Sequence, residues 1–299
     1  MQWRKHGVIL EPAGQAPWIR THASLPAADQ GPAGLRVFFS SRDEHGRSHI
    51  GFFTFDPDAP SAPPGVSASP ALSPGALGAF DDAGVTNSCV VRHHGRFYLY
   101  YTGWSLGVSV PFYLSAGLAI SDDGVTFHRA SSAPLLERNT ADPYLTASPW
   151  VLVEGQRWRM WYVSGTGWEL VNGAPRHRYL IKYAESSDGT LWSRGETVCI
   201  GYRNEQEYAF GRPCVIRDGE LYRMWYSYRG DRYQLGYAES SDGISWVRKD
   251  DEAGLPLSPH GWDSEMIAYP DVFRHRDRLQ MLYNGNGYGR TGIGLATAE

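Results

Sequence analysis

Bulky and polar residues alternate along the stretch from Leu221 to Trp246, LYRMWYSYRGDRYQLGYAESSDGISW, in two strand-length runs parted by a polar loop and closed by Ser-Asp-Gly and an aromatic. Alternation with period two puts successive side chains on opposite faces of a strand, so each run reads as a half-buried β-strand. The pattern recurs from Arg157 to Trp192 and, more weakly, from Arg96 to Phe127. Degenerate copies run from Leu35 to Asp56 and from Arg278 to Glu299, so five copies fill the chain.

The last bulky residue of each first run (Phe39, Tyr101, Tyr162, Tyr226, Tyr283) marks a period of roughly 57 to 64 residues, as in propeller-like arrays. Each period also opens with a short apolar strand after a Pro or Ser: SCVV from Ser88, PWVLV from Pro149, PCVI from Pro213 and PDVF from Pro270. With the segment after Ser-Asp-Gly this makes four antiparallel strands per repeat. The predicted fold is all-β: a five-bladed β-propeller in one domain spanning residues 1–299. A two-sheet sandwich has no reason to repeat its sequence at this period.

The fifth copy stops at Glu299, just after its third strand. Residues 2 to 10, QWRKHGVIL, share the Trp-Arg or Trp-x-Arg opening of the other fourth strands, so the N-terminal strand is expected to close the ring and remove two open sheet edges. The stretch from Pro57 to Leu77 is rich in Pro, Ala and Ser, yet it falls where the first blade makes its outer strand. Its PALSPG echoes PLLER (Pro134 to Arg138) and PLSPHG (Pro256 to Gly261), so no domain boundary is drawn there.

Composition fits many short aromatic strands and tight turns: 34 Gly, 18 Tyr and 11 Trp in 299 residues. A formal net charge of −4 leaves no basic footprint for nucleic acid. No stretch is long and apolar enough to span a bilayer and the N-terminus has no secretory pattern, so a soluble cytoplasmic protein is expected. Cys89 and Cys214 stand at equivalent strand-one positions, and with Cys199 they form neither a disulfide nor a zinc spacing. No cofactor is implied. His22, His45, His49 and His177 share one side without close metal-ligand spacing.

Meander geometry sorts the polar residues onto two ends of the blades. The Ser-Asp-Gly turns and RHHGR, VEGQR, RDGE and HRDR share one end and are ordinary turn chemistry. The other end carries loops rich in Trp, Tyr, Arg and Asn, where binding residues concentrate on a rigid scaffold. Seven positions before the residue that opens strand one stand Asp81, Asp142 and Asp263, with Glu207 one position closer and Glu265 a second acid in the last blade. These acids are expected to converge on the channel mouth, where mutual repulsion splits their pKa values into general acid and general base. A turn-forming or capping role copied with the repeat is the alternative. Trp104, Trp168, Tyr228, Arg229 and Arg212 on the same end favour a sugar site.

Through Pro-x-Val, x-Met-Trp-Tyr and Tyr-Ala-Glu-Ser-Ser-Asp-Gly-x-x-Trp, the whole chain resembles the five-bladed propeller glycosidases: the arabinanase and xylosidase, invertase and levansucrase, and mannoside phosphorylase types. It is also similar to glycosyl hydrolase-like proteins encoded among polysaccharide biosynthesis genes. The resemblance implies a blade-one Asp as base or nucleophile, a blade-two Asp that orients substrate, and a blade-three Glu as general acid. Asp81 matches the second, and Asp142 stands in the third position as Asp. Blade one departs: APWIRTHASLP offers only Arg20 and His22, and Asp43 in SSRD is the nearest substitute. Two-carboxylate hydrolysis needs acids on both sides of the glycosidic bond.

The first expectation is therefore an enzyme that cleaves or transfers a glycosyl group on a small glycoside or activated sugar. Asp142 or Glu207 would be its acid and Asp43 or Asp263 its base, with Asp81 tuning them. Arg20, Arg42 and Arg212 suit a phosphate or carboxylate on the ligand, and His22, Arg229, Glu265, Asn284, Asn286 and Arg290 complete the expected contacts. The alternatives are a sugar-binding or scaffold propeller without hydrolysis, and a different reaction on a sugar-derived intermediate.

Overall fold

The computed structural model of the protein describes residues 1–12, 14–31 and 34–299. It is almost entirely β. Strand β1 (Trp3–Leu10) is followed by a first unit of β2 (Ser24–Gly31), β3 (Gly34–Arg42), β4 (Ser48–Phe55) and β5 (Gly65–Val66). A second unit comprises β6 (Gly84–His93), β7 (Arg96–Leu106), β8 (Phe112–Ser121) and β9 (His128–Arg129). A third holds β10 (Thr146–Glu154), β11 (Arg157–Val171), β12 (Ala174–Ser186) and β13 (Ser193–Ile200). In the fourth, β14 (Ala209–Phe210) and β15 (Cys214–Asp218) both pair with β16 (Leu221–Arg229), followed by β17 (Tyr233–Ser240) and β18 (Val247–Arg248). The last unit is β19 (Ala268–His275), β20 (Arg278–Asn284) and β21 (Ile293–Ala298), with β1 paired on its outer edge.

That last pairing is antiparallel, with Trp3 opposite Ala298 and Gly7 opposite Leu295. The N-terminal segment thus supplies the fourth strand that the C-terminal copy lacks, as its Trp-Arg opening predicts. The Pro-rich stretch also takes its expected place, since β5 pairs with β4 and Leu72 bridges Ile50 as Leu136 bridges Ala116 in the next unit. A single parallel bridge, Ser48 to Gly84, joins the first two units into one sheet. Among the described residues the only helical turns are Asp250–Glu252 and Asn286–Gly289, and no helix is long and apolar enough to cross a membrane.

Each apolar core is shared by two consecutive units. Phe38 and Ile50 meet Val85 and Leu99; Tyr100 and Leu118 meet Val151 and Met160; Trp161 and Ile181 meet Val215 and Met224. Trp225 and Leu235 then meet Val272 and Met281, and Leu282 and Leu295 return to Val37 and Phe53. The first strands accordingly touch in the cyclic order β2, β6, β10, β15, β19 and back to β2. No unit can bury its two faces alone, so burial itself demands the neighbours.

Polar links follow the same order. The backbone N–H beside the residue that opens strand one donates to a side chain of the preceding unit: Leu25 to Asn284 (2.8 Å), Asn87 to Ser40 (2.7 Å), Ser148 to Thr102 (2.8 Å) and Tyr269 to Ser227 (2.8 Å). Leu25, Ser148 and Tyr269 are left-handed there (φ 51°, 49° and 55°), in bulges that precede a proline. Such conformations persist only where surrounding bonds over-determine them. The equivalent residue of the fourth unit, Arg212, instead sends its side chain between the first strands of the second and last units. Fully buried, it donates to the carbonyls of Ser88 (3.1 Å), Tyr269 (3.1 Å) and Pro270 (3.0 Å), with Asp271 at 4.0 Å. Burial pushes the Asp271 carboxyl up to about 6 against the pull of Arg212 and the Ala28 N–H.

At the far end the repeated turns are more than punctuation. In Ser121-Asp122-Asp123-Gly124 the serine Oγ accepts the Gly124 N–H, and the Asp123 carboxylate accepts the N–H groups of Val125 and Thr126. The copies at Asp188 and Asp242 are built the same way. The glycine carbonyls then accept a side chain of a neighbouring unit: Gly124 from Arg36, Gly189 from Tyr100 and Gly243 from Trp161. The three cysteines are buried and unpaired, and burial pushes the Cys89 thiol up to about 12.

Because β1 covers the only edge of β21 not paired to β20, deleting residues 1–10 is expected to lower the melting temperature by at least about 10 °C and to produce soluble aggregates. Thermal melts and size-exclusion chromatography check this. A truncated chain that melts like the full one would show that the closure adds nothing.

Candidate active site

The carboxylates that head the repeats are each held in a clamp built from their own unit. Asp81 accepts the Tyr101 hydroxyl at 3.0 Å and the Arg129 Nε at 2.8 Å. Asp142 accepts Tyr162 (3.0 Å), Ser164 (2.6 Å) and Arg194 (2.8 Å), with Lys182 at 3.5 Å. Asp263 accepts Lys5 (2.7 Å) and Tyr283 (3.2 Å). In the fourth unit the task is divided: Arg248 forks onto Glu207 (2.8 and 3.0 Å) and also reaches Asp250 (2.6 Å), which takes the Tyr226 hydroxyl. Asp81, Asp142, Glu207 and Asp263 are buried, and only 6% of the Asp250 side chain is exposed.

The design is legible from strand to strand. The tyrosine closes the continuous apolar run of strand two, and the residue paired opposite it on strand three is glycine at Gly117, Gly236 and Gly294. A Cβ at Gly117 or Gly236 would sit 2.4 or 2.2 Å from the tyrosine ring, so only glycine leaves room for it. In the third unit the partner is Lys182, whose ammonium reaches Asp142 instead. The main cation comes from the fourth strand. This explains the missing acid of the first unit: its strand-two residue is Phe39, which has no hydroxyl to offer, and Trp18 packs on it at 5.3 Å.

Asp43, Asp81, Asp142, Glu207 and Asp263, expected around one channel mouth, are each engaged by partners of their own, and none of them is among the residues that line the cavity at the end of the first strands. Each acid faces its own clamp because a buried carboxylate requires a charge partner more than it requires a neighbouring acid. Asp43 is likewise closed within its loop, accepting the backbone N–H groups of His45 and Arg47 (2.9 Å each), the Arg47 side chain and His49 (3.1 Å). Burial would raise its pKa, but the His49 and Arg47 bonds outweigh it and hold the carboxyl below the ordinary value.

A cavity of about 380 Å³ opens instead at the end of the first strands, lined from all five units, within the usual range for small-molecule sites. Its floor is Leu25, Ser148, Gly211 and Tyr269, and its walls include Trp104, Phe112, Tyr179, Tyr233 and Tyr288. Its polar groups include His22, Arg42, Thr86, Thr102, His177 and Arg229 with serine and tyrosine hydroxyls, and among the described residues no carboxylate lines it. Arg229 lies over the Tyr208 and Tyr233 rings (5.4 and 5.3 Å) and donates to the Tyr288 hydroxyl at 2.7 Å. His177 stacks on Tyr179 at 4.0 Å.

Of the contacts expected from sequence, His22, Arg42, Trp104 and Arg229 line this cavity. Trp168 stands behind it, edge-on to His177 at 5.8 Å and to Phe112 at 5.3 Å. Arg290 is exposed nearby, and its charge acts on His22 and Arg42. The others fall elsewhere. Arg212 and Asn284 are wholly buried, the latter donating to the Ala23 and Gly292 carbonyls (2.8 Å each). Asn286 accepts the Glu265 N–H (2.8 Å), Glu265 and Arg20 are exposed and line no part of the cavity, and Tyr228 packs beside Arg248. Tyr179, Tyr233, Tyr269, Tyr288, Thr86 and Ser148 are additions that the sequence does not single out; for Ser148 and Tyr269 the available signal is their place immediately before the strand-opening proline.

Electrostatically the cavity is a positive, tyrosine-lined mouth. Burial, then the charges of Arg42 and Arg290, pull His22 down to about 4; burial, Arg229 and Arg176 do the same to His177. Both imidazoles are neutral at pH 7, and burial raises the Tyr179, Tyr233 and Tyr269 hydroxyls above their ordinary value, so these stay protonated donors.

Two measurements check this assignment. Asp142→Asn is expected to cost about 3–5 kcal/mol in denaturant unfolding, because Arg194 and Lys182 are left buried without their counter-charge; a loss below about 1 kcal/mol would refute a structural clamp. Because the folded pKa of His22 and His177 lies below the unfolded value, their neutral forms favour the fold fully above about pH 6.5, and that contribution fades as pH falls toward 4. Melts across that window are expected to show a flatter decline for a His22→Gln/His177→Gln double variant than for the native chain.

No family model matches the chain. Over 300 aligned positions it is 42% identical to Uncharacterized protein MT1551 of Mycobacterium tuberculosis (strain CDC 1551 / Oshkosh), covering all of both proteins, and 42% identical to Uncharacterized protein Rv1502 of strain ATCC 25618 / H37Rv over the same extent. Among solved structures it is similar to the protein of the BT0996 RGII complex (TM-score 0.78, 16% identity, 99% of this chain and 91% of that one). A glycoside hydrolase aligns with TM-score 0.77 at 15% identity over 99% and 91% of the two chains. A thermostable family-43 glycoside hydrolase follows at 0.66 and 17% over 92% and 88%. At such identities the likeness is one of fold. The chain belongs to the family of the Mycobacterium tuberculosis proteins MT1551 and Rv1502 and shares its fold with solved glycoside hydrolases.

Proposed function

We propose that the chain is a single five-bladed propeller, ring-closed by β1, that holds a carbohydrate derivative in the cavity at the end of its first strands without two-carboxylate hydrolysis. The cyclic order of contacts among the five first strands supports the blade count. One observation carries the functional reading: the mouth presents tyrosines, Trp104, neutral imidazoles and arginines, while the acids of the repeat are held in clamps with Arg129, Arg194, Arg248 and Lys5. Aromatic faces beside placed donors suit a sugar ring and its hydroxyls. A general acid and base flanking a glycosidic bond have no counterpart among the lining residues.

A second reading, cleavage or transfer of a glycosyl group, is favoured by the fold neighbours, which include glycoside hydrolases. It requires one of the clamped acids, Asp142 foremost, to leave its cation during turnover. The two readings separate in one comparison. Aryl glycosides with and without added phosphate are expected to show no turnover above background, while calorimetry detects binding of monosaccharide derivatives that Asp142→Asn leaves within about twofold. Turnover in the native chain that disappears in a folded Asp142→Asn variant would establish the second reading and overturn the first.

A further inference from the structure

Resting on that carbohydrate reading, we propose that the ligand of the cavity carries an anionic group, a phosphate or a carboxylate on the sugar, held between the guanidiniums of Arg42 and Arg229. Most arginines near the buried acids of this protein are already engaged: Arg47, Arg92, Arg129, Arg194 and Arg248 are all in ion pairs. Among the described residues, Arg42 and Arg229 line the cavity and pair with no carboxylate. They come from different units, at the ends of β3 and β16, and both lie near enough to Tyr269 for their charges to act on it. Arg290 adds a third positive charge at the rim, close to Arg42 and His22.

Like charges gathered at one mouth with no counter-ion are an unfavourable arrangement that an anion relieves. The two histidines of the cavity stay neutral, through burial first and the arginine charges second, so they add no positive charge of their own. Polar capacity is also left over. The Arg229 Nε and His177 Nε2 are buried and have no hydrogen-bond partner, although Arg229 Nη1 is used by Tyr288. Guanidinium forks match the oxygens of carboxylate and phosphate bidentately. Trp104 and the tyrosines then offer faces for the neutral part of the molecule.

The test uses the full chain in calorimetry at low salt with glucose, galactose and mannose, their 1-phosphates, their uronates, and inorganic phosphate alone. At least one anionic sugar is expected to bind ten times more tightly than its neutral parent and more tightly than inorganic phosphate, with affinity falling as sodium chloride is raised. Arg42→Gln, an exposed position whose loss leaves the core intact, is expected to weaken that ligand at least tenfold and the neutral parent less than twofold, and Arg42→Lys to restore part of the loss. Arg229→Gln should act in the same direction; an unchanged melting temperature shows that its packing on Tyr208 and Tyr233 is not the cause. The ratio of phosphate to uronate affinity identifies which anion is meant. Equal affinity for neutral and anionic sugars overturns the inference and leaves the carbohydrate reading standing. Inorganic phosphate bound as tightly as any sugar phosphate overturns the carbohydrate reading alone, and no binding across the panel overturns both.

Discussion

A carboxylate taken out of water must be met by opposite charge and hydrogen bonds, and this chain meets that demand the same way in four successive units. The acid before the first strand, the tyrosine that ends the apolar run of the second, and a cation on or beside the fourth form one clamp: Asp81 with Tyr101 and Arg129, Asp142 with Tyr162 and Arg194, Asp263 with Tyr283 and Lys5. Glu207 and Asp250 share the role around Arg248 and Tyr226. Each clamp ties the inner edge of a sheet to its outer edge. In the last unit the cation is on β1, so the N-terminal strand is held by charge as well as by its ladder.

That arrangement decides what is left for the mouth. With its acids locked and Arg212 donating to three backbone carbonyls between the first strands, the protein presents a cavity lined by arginines and aromatic rings, with no carboxylate among the described residues. The bulges that shape its floor are consequences of the same ring. Leu25, Ser148 and Tyr269 adopt left-handed conformations because the neighbouring unit supplies an acceptor for each N–H. Fold and site are therefore separable. The scaffold is carried by cores shared between units, whereas the chemistry at the mouth depends on a handful of residues at strand ends, such as Arg42, Trp104 and Arg229, together with His22 and Tyr288 outside the strands.

Local pattern made the architecture readable from the residues. Alternation with period two located the strands, the Ser-Asp-Gly turns marked the far end, and the incomplete last copy pointed to the N-terminal segment, found with Gly7 opposite Leu295. Even the placement of Leu72 and Leu136 followed from the echo of PALSPG in PLLER. These features are set within a few residues, by side-chain direction and turn chemistry, and survive any rearrangement of distant partners.

What an acid faces is a different kind of fact. Asp81, Asp142 and Asp263 recur in phase, and phase alone cannot tell a repeated clamp from a ring of catalytic groups. The partners that hold them are Arg129, 48 residues beyond Asp81, Arg194, 52 beyond Asp142, and Lys5, 258 before Asp263, all outside the reach of local pattern. The absent acid of the first unit, with Phe39 in the tyrosine's place, was the one local sign that acid and hydroxyl go together. By itself the sequence determined the strands, their turns and the closing strand, because those rest on short-range periodicity; only the tertiary structure decided that the acids are buried counter-ions and that His22, Arg42, Trp104 and Arg229 meet with Tyr233 and Tyr269 in one cavity, because charge partners and cavity walls are assembled from different units.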